Sequence, residues 1–345
     1  MTRCLYGATN AAGSNFLLQV PNQHDLVYYL VLHDKGVKMS VSLIVVSWNG
    51  EQYLSKCLAS LQDQTLSPIE VLLIDNGSTD RSIQFAIEAF ENIQVVHNRR
   101  NLGVATAWNI GANLAKGDVL GFINQDLVAD KDWVEQITAA LKTFPEGAVI
   151  GSKLLYPDGE TIQHAGGSVY YPTAFTKHHG QGLANDIQFN TPVEVDYVTG
   201  AAFITTWKVF ERIGGFDTRF HPAYFEDVDF CVRAHKSGYP VIYWPTAVAI
   251  HYESTSLGKG SYAFFRSYHS NRLRFVFKHL DDNELLTGFL RQELNLITDK
   301  NGMAPIELQA LRWVYEQGEH IIGAARSREI THNIFRTLRA QVATT

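Results

Sequence analysis

From Ser40 to about Tyr156 the chain alternates between short, continuously apolar runs and longer stretches with apolar residues every three or four positions. "VSLIVVSW" is a run of strand length, and "GEQYLSKCLASLQDQT" then sets Tyr53, Leu54, Cys57, Leu58 and Leu61 on one helical stripe. "IEVLLID", "IQVVHN", "DVLGFIN" and "GAVIGSKLLY" repeat the strand signal. "STDRSIQFAIEAF", "GVATAWNIGANLAK" and "KDWVEQITAALKTF" repeat the helical one between them. Buried strands alternating with amphipathic helices predict an α/β fold with a doubly wound, mostly parallel sheet covered by helices on both faces. Such sheets bind ligands at the carboxyl ends of their strands.

The pattern breaks over residues 156–192, which are rich in Gly, Pro and polar residues and predict an irregular excursion with a short hairpin over the site. Beyond it, "VEVDYVTGAAFITT" and "PVIYWPTAVAIHY" are strand-like, "WKVFERIGG" is a short helix closed by glycine, and "EDVDFCVRAHKSG" is a helix stopped by Gly238 and Pro240. From residue 261 the chain is mostly helical. Residues 1–38 differ from the rest and read as a non-core leader, an add-on or an upstream extension of a chain that begins at Met39. The expected organisation is a leader over 1–38, a catalytic domain over 39–258 and a helical C-terminal region over 259–345.

Composition narrows the function. A net charge of −6 over 345 residues does not favour a nucleic-acid partner. Cys4, Cys57 and Cys231 have no paired spacing and read as reduced thiols of a cytoplasmic protein, with Cys57 and Cys231 simply buried. No apolar run reaches the ~18 residues that a membrane span needs.

Polar residues gather at successive strand ends. Ser47, Trp48 and Asn49 follow the first strand, "DNGSTD" with Asp75 follows the second, "NRRNLGVATAWN" precedes the third helix, and "NQD" ending in Asp126 follows the fourth strand. Each alone also makes a good turn or helix cap. Capping does not require all of them on one rim. Further on, Glu226, Asp227 and Asp229 crowd the start of one helix. Acids there complement the helix dipole, and one of them can also accept a proton.

The set "VSLIVVSWNG", "VLLIDNGSTD", "NLGVATAWNIGA", "FINQD", "TGAAFITTWKVFERIGGFD", "YFEDVDFCVRAHKSG" and "AIHY" resembles glycosyltransferase family 2, the inverting GT-A enzymes that use nucleotide-sugars. The likeness runs from about Val41 to His251 and is strongest to the rhamnosyltransferase-like branch that builds O-antigen and cell-wall polysaccharide. It implies a nucleotide-sugar donor, best matched by dTDP-rhamnose, with a UDP-sugar (galactofuranose, glucose or N-acetylglucosamine) or loss of catalysis as alternatives. The implied acceptor is a growing or lipid-linked glycan.

The resemblance makes Asp227 the catalytic base and gives the nucleotide to Ser47, Asn49, Asp75, Arg100 and Asn101. It gives Mg²⁺ or Mn²⁺ to Asp126 and His251, both ions accepting oxygen ligands. Asn124 stands where the family's first metal acid would be, so the site carries less negative charge. Asn124, Gly200, Ala201, Glu226 and Asp229 are left as donor-sugar or acceptor contacts, Gly200 and Ala201 as a floor small enough for a sugar to approach.

The tail joins arginines to apolar residues, with Ile330, Ile334 and Leu338 at four-residue spacing. Such helices either lie on the inner face of an anionic membrane or pack on the catalytic domain or on another subunit of a homo-oligomer.

Overall fold

The computed structural model describes residues 39–90, 93–253, 258, 260–298, 303–323 and 326–344. The expected leader over 1–38 therefore lies outside the described residues. The first half follows the predicted alternation: β1 (Val41–Ser47), α1 (Leu54–Gln62), β2 (Glu70–Asp75), α2 (Ser82–Ala89), β3 (Gln94–His97), α3 (Val104–Leu114), β4 (Val119–Asn124), β5 (Leu127–Ala129), α4 (Trp133–Lys142) and β6 (Val149–Leu155). The excursion holds β7 (Ile162–His164) and a hairpin of β8 (Gly167–Tyr170) with β9 (Phe175–His178). Then come β10 (Val193–Glu194), β11 (Ala202–Thr206), α5 (Trp207–Ile213), α6 (Glu226–Lys236) and β12 (Val241–His251).

The main sheet runs β10-β12-β6-β11-β4-β1-β2-β3, with β5 on β12 and β7 on β6. The β3-β2-β1-β4 half is parallel. β11 runs antiparallel between β4 and β6, while β12 is parallel to β6. A single stretch, "VEVDYVTGAAFITT", thus yields two strands rather than one, β10 on the edge of the sheet and β11 in its interior.

Both faces are covered. Successive residues of β1 point to opposite faces: Val41, Leu43 and Val45 enter a core with Leu58, Leu61, Trp133 and Ile137, while Ile44 enters another with Trp108, Phe122, Phe203 and Phe230. That second core continues through Phe275, Phe277, Leu311 and Leu338 of the C-terminal helices. These are α7 (Tyr262–His279), α8 (Leu290–Thr298), α9 (Pro305–Glu316), α10 (Gly318–Ile322) and α11 (Arg328–Thr344). Ile334 and Leu338 are fully buried, so the four-residue stripe of α11 faces protein and not a membrane. No helix among the described residues is long and apolar enough to cross a membrane.

A buried ion pair fastens this region. Arg272 of α7 and Glu293 of α8 both have no exposed surface. The Arg272 guanidinium grips both oxygens of the Glu293 carboxylate, and its Nη1 also donates to the Thr173 carbonyl at 2.8 Å. Tyr315 of α9 donates to Glu293 Oε1 at 2.7 Å. Removing one partner leaves an uncompensated buried charge. Glu293→Ala is expected to destabilise the chain by about 3–5 kcal/mol, and a paired Arg272→Met/Glu293→Leu variant to recover part of the loss, both measured by urea unfolding.

Candidate active site

The parallel half of the sheet delivers its strand ends to one rim, where side chains stitch neighbouring loops together. Gln125, just past β4, is the main stitch. Its Oε1 accepts the Ser47 hydroxyl at 2.7 Å and the Trp48 backbone N–H at 2.9 Å, and its Nε2 donates to the Trp48 carbonyl at 3.2 Å. Ser47 is fully buried and its hydroxyl is engaged by Gln125. Asn49 has a left-handed backbone (φ 51°), and its Oδ1 accepts from the Thr79 backbone N–H at 2.8 Å. Asp75, at the end of β2, accepts from the Ser78 N–H at 2.8 Å and lies 3.1 Å from His97 Nδ1. A carboxylate has about four lone-pair sites, so both oxygens can accept from a further partner. Asn101 caps the approach to α3 by accepting from the Gly103 N–H at 2.9 Å and from Asn76 at 3.0 Å. Arg100 beside it is exposed.

Asp126 and His251 meet because β12 pairs antiparallel with β5, which sets His251 opposite Leu127, the neighbour of Asp126. Gln163 fixes the histidine. Its Nε2 donates to the His251 carbonyl at 3.1 Å, so its Oε1 is the atom 2.6 Å from His251 Nδ1. An amide oxygen only accepts, and the imidazole proton is therefore on Nδ1. In the neutral ring the lone pair is then on Nε2, which is buried, without a hydrogen bond and 3.2 Å from Asp126 Oδ1. Two acceptors held this close are stabilised by a cation between or beside them. An imidazole oriented through its other nitrogen is a common feature of metal ligation. The donor set therefore fits a divalent ion. Among the described residues no group of three or more His, Cys, Asp or Glu could hold one alone.

The acid cluster sits at the start of α6. Tyr224 (φ 79°) and Phe225 (φ 70°) are both left-handed, and this turns the chain sharply into the helix. The two oxygens of Asp227 accept from backbone N–H groups, Gly200 to Oδ2 and Val228 to Oδ1, each at 2.8 Å. The Thr199 side chain donates as well. Burial pushes the Asp227 pKa above the ordinary carboxylate value, against the pull of these donors. One residue further, the Ala201 carbonyl accepts the Asn124 N–H at 3.0 Å. The lead-in to β11 thus ties Asp227 to the segment that carries Asn124, Gln125 and Asp126. Asp227 and the candidate metal ligands are thus tied to one rim.

Three expectations need correcting. Asp229 does not face a sugar. It has no exposed surface and sits among Arg233 Nε (2.7 Å), Lys278 Nζ (2.6 Å) and His279 Nε2 (2.8 Å). Burial alone would raise its pKa, but His279, Arg233 and Lys278 hold it below the usual value, so it is an ionised anchor between α6 and α7. Gly200 is small for a different reason than supposed: a Cβ there would lie 2.3 Å from Trp108 Cη2, so it makes room for α3 and not for a sugar. Ala201 is 2% exposed and belongs to the core. Glu226 is buried with Oε2 unpartnered, and burial, then the nearby Asp227, push its pKa well up.

Sequence reasoning missed Gln125, Gln163 and Thr199. Gln125 stands inside the "NQD" that marked the rim. Gln163 and Thr199 carry no signal in their local pattern.

Residues 42–204 match the family model described as glycosyl transferase family 2. N-acetylglucosaminyl-diphospho-decaprenol L-rhamnosyltransferase of Mycobacterium tuberculosis is 27% identical over 257 residues, covering 68% of this chain and 83% of that one. O-antigen biosynthesis protein RfbC of Myxococcus xanthus is 32% identical over 243 residues, covering 67% of this chain and 18% of that one. Among solved structures, GalNAc-T7 with UDP, GalNAc and Mn²⁺ superposes with a TM-score of 0.57 at 18% identity, over 74% of this chain and 51% of that chain. The likeness is one of fold, the GT-A arrangement of a mostly parallel sheet between helices. On the matched segment, residues 42–204 of this chain form a glycosyltransferase family 2 domain.

Proposed function

We propose that the chain transfers a sugar, with inversion, from a nucleotide-diphosphate donor to a hydroxyl of a glycan, and that Asp227 is the general base. The observation that carries this reading is the hold on Asp227. A half-buried carboxylate with a raised pKa, oriented by the Gly200 and Val228 N–H groups, is a better proton acceptor than a free surface acid. An acceptor hydroxyl is a poor nucleophile until its proton is withdrawn, and a positioned base contributes about 10²–10⁴-fold. The Gly200 bond fixes one carboxylate oxygen.

Asp126 and His251 would hold Mg²⁺ or Mn²⁺, with Asn124 close enough in the chain to contribute a neutral oxygen. Such an ion, when bound, neutralises charge on the departing diphosphate. Gln163, held on Nδ1, turns His251 Nε2 toward Asp126 for that purpose. Asp75, Asn49 and the Asn101–Gly103 segment would take the nucleotide, with Arg100 reaching it from the exposed edge. Inversion requires the base and the leaving group on opposite sides of the transferred sugar, and the Asp227 and Asp126 ends of the rim supply the two sides.

The rhamnosyltransferase relative supports dTDP-L-rhamnose as donor and a lipid-linked glycan of a bacterial surface polysaccharide as acceptor. Donor hydrolysis compared across dTDP- and UDP-sugars tests the choice, and faster turnover of a UDP-sugar would replace rhamnose.

Asp227→Asn is expected to lower transfer by about 10²–10⁴-fold while donor affinity measured by calorimetry stays within a factor of about 3. Unchanged transfer would remove Asp227 as base. The base works only when ionised, so activity is complete above its pKa and is lost as pH falls through it. Because burial raises that pKa, the acid limb should have its midpoint above the ordinary Asp value of about 3.9. Chelation with EDTA should abolish transfer and Mn²⁺ should restore it, and full activity in chelator would overturn the cation's role.

A further inference from the structure

Outside the rim, a cleft of about 530 Å³ opens where the 217–221 loop meets α7 and α10. One wall carries Arg219, Arg274 and Lys278 against a single carboxylate, Asp217. The chain as a whole is acidic, at −6, so this local excess of cations runs against the average. Asp217 is already taken by Arg219 Nη2 at 2.6 Å and by Lys278 Nζ at 2.7 Å, and Lys278 also reaches Asp229. Arg274 is different. It is half-buried, its Nη1 donates to Asn271 Oδ1 at 2.6 Å, and no carboxylate among the described residues forms an ion pair with it. Burial and then the neighbouring Arg219 depress its pKa, and Asp217 offsets them only in part. Phe220, Ile321 and Ile322 also line the cleft, with Lys278 Nζ 5.5 Å from the Phe220 ring centroid.

We infer that this cleft is a subsite for a phosphate-bearing amphiphile, with Arg274 and Arg219 on the phosphate and the Ile321 and Ile322 side chains against the first methylenes of its hydrocarbon. Planar guanidinium forks match phosphate oxygens, and cations set beside apolar side chains match no simple sugar. The lining loop also connects to the rim. His221 Nδ1 lies 3.3 Å from the Leu102 carbonyl, the Pro222 carbonyl accepts the Val104 N–H at 2.9 Å, and Asp227 follows a few residues later. An acceptor anchored by its phosphate here would be tethered near the base. The site itself does not depend on the proposed transfer reaction, because its ligand can be measured without a donor.

The test uses the full chain in EDTA, so that the candidate cation site is out of play. Phosphatidylcholine vesicles with and without a polyprenyl phosphate form one arm, read by co-sedimentation. Inorganic pyrophosphate, read by calorimetry, forms the other. We expect binding to polyprenyl-phosphate vesicles and not to plain ones. Arg274→Ala should weaken it by about tenfold, the effect of one charge-assisted hydrogen bond, with donor hydrolysis in Mn²⁺ unchanged. Arg219→Ala, at an exposed position, is the second variant should Arg274→Ala fold poorly. Pyrophosphate binding that depends on Arg274, without any vesicle binding, would keep the phosphate site and assign it to a free anion. Loss of neither ligand in both variants, or no binding in either arm, overturns the proposal.

Discussion

The bond from the Gly200 backbone N–H to Asp227 is the constraint on which the rest of the site depends. It is made possible by a missing side chain. Any Cβ at 200 would collide with Trp108, so only glycine lets the lead-in to β11 lie close to α3 while offering its N–H to α6. The next residue hands its carbonyl to Asn124. A single stretch, Thr199 to Ala201, therefore holds Asp227 on one side and the β4 end, next to Asp126, on the other. If the stretch moved, both halves of the chemistry would move together.

Much of this was legible in the sequence, and the limits have physical causes. The strands of the parallel half were legible because both their faces are buried, which leaves an unbroken apolar run in each. Strand direction was not: β11 reads as apolar whether it runs up or down the sheet. Asp227, Asp126 and His251 stood out through motifs whose order and spacing are distinctive. Asp229 and Glu226 could not be separated from Asp227 by type or position. What separates them is long-range: Lys278 and His279 claim Asp229 from about 50 positions away, while Glu226 finds no basic partner among the described residues and leaves its Oε2 without a hydrogen bond. Only Arg233, four residues along the same helix, was a local hint. Gln163 comes from a segment without periodicity, where no pattern marks one residue over its neighbours.

The C-terminal helices are part of the same body. Their apolar residues join the core on the α3 and α6 face of the sheet, and Asp229 is anchored by α7. Helix α6, which carries Asp227, is thus held both by the tail and by Gly200. The arginines that looked like a membrane-binding array divide into different roles. Arg272 is a buried structural ion, Arg266 stacks 4.9 Å from the Trp313 ring, Arg326 donates to the Phe277 carbonyl, and Arg274 faces the cleft. Charge on a helix face carries little meaning until each head group's partner is known.

The central claim is that a donor lies between a cation at Asp126 and His251 and the carboxylate of Asp227. The most direct measurement is the anomalous diffraction of crystals soaked with Mn²⁺ and a non-hydrolysable nucleotide-sugar. We expect a Mn²⁺ peak within bonding distance of Asp126 and His251 Nε2, with the sugar's anomeric carbon on the Asp227 side. A peak elsewhere, or a sugar turned away from Asp227, would contradict the claim.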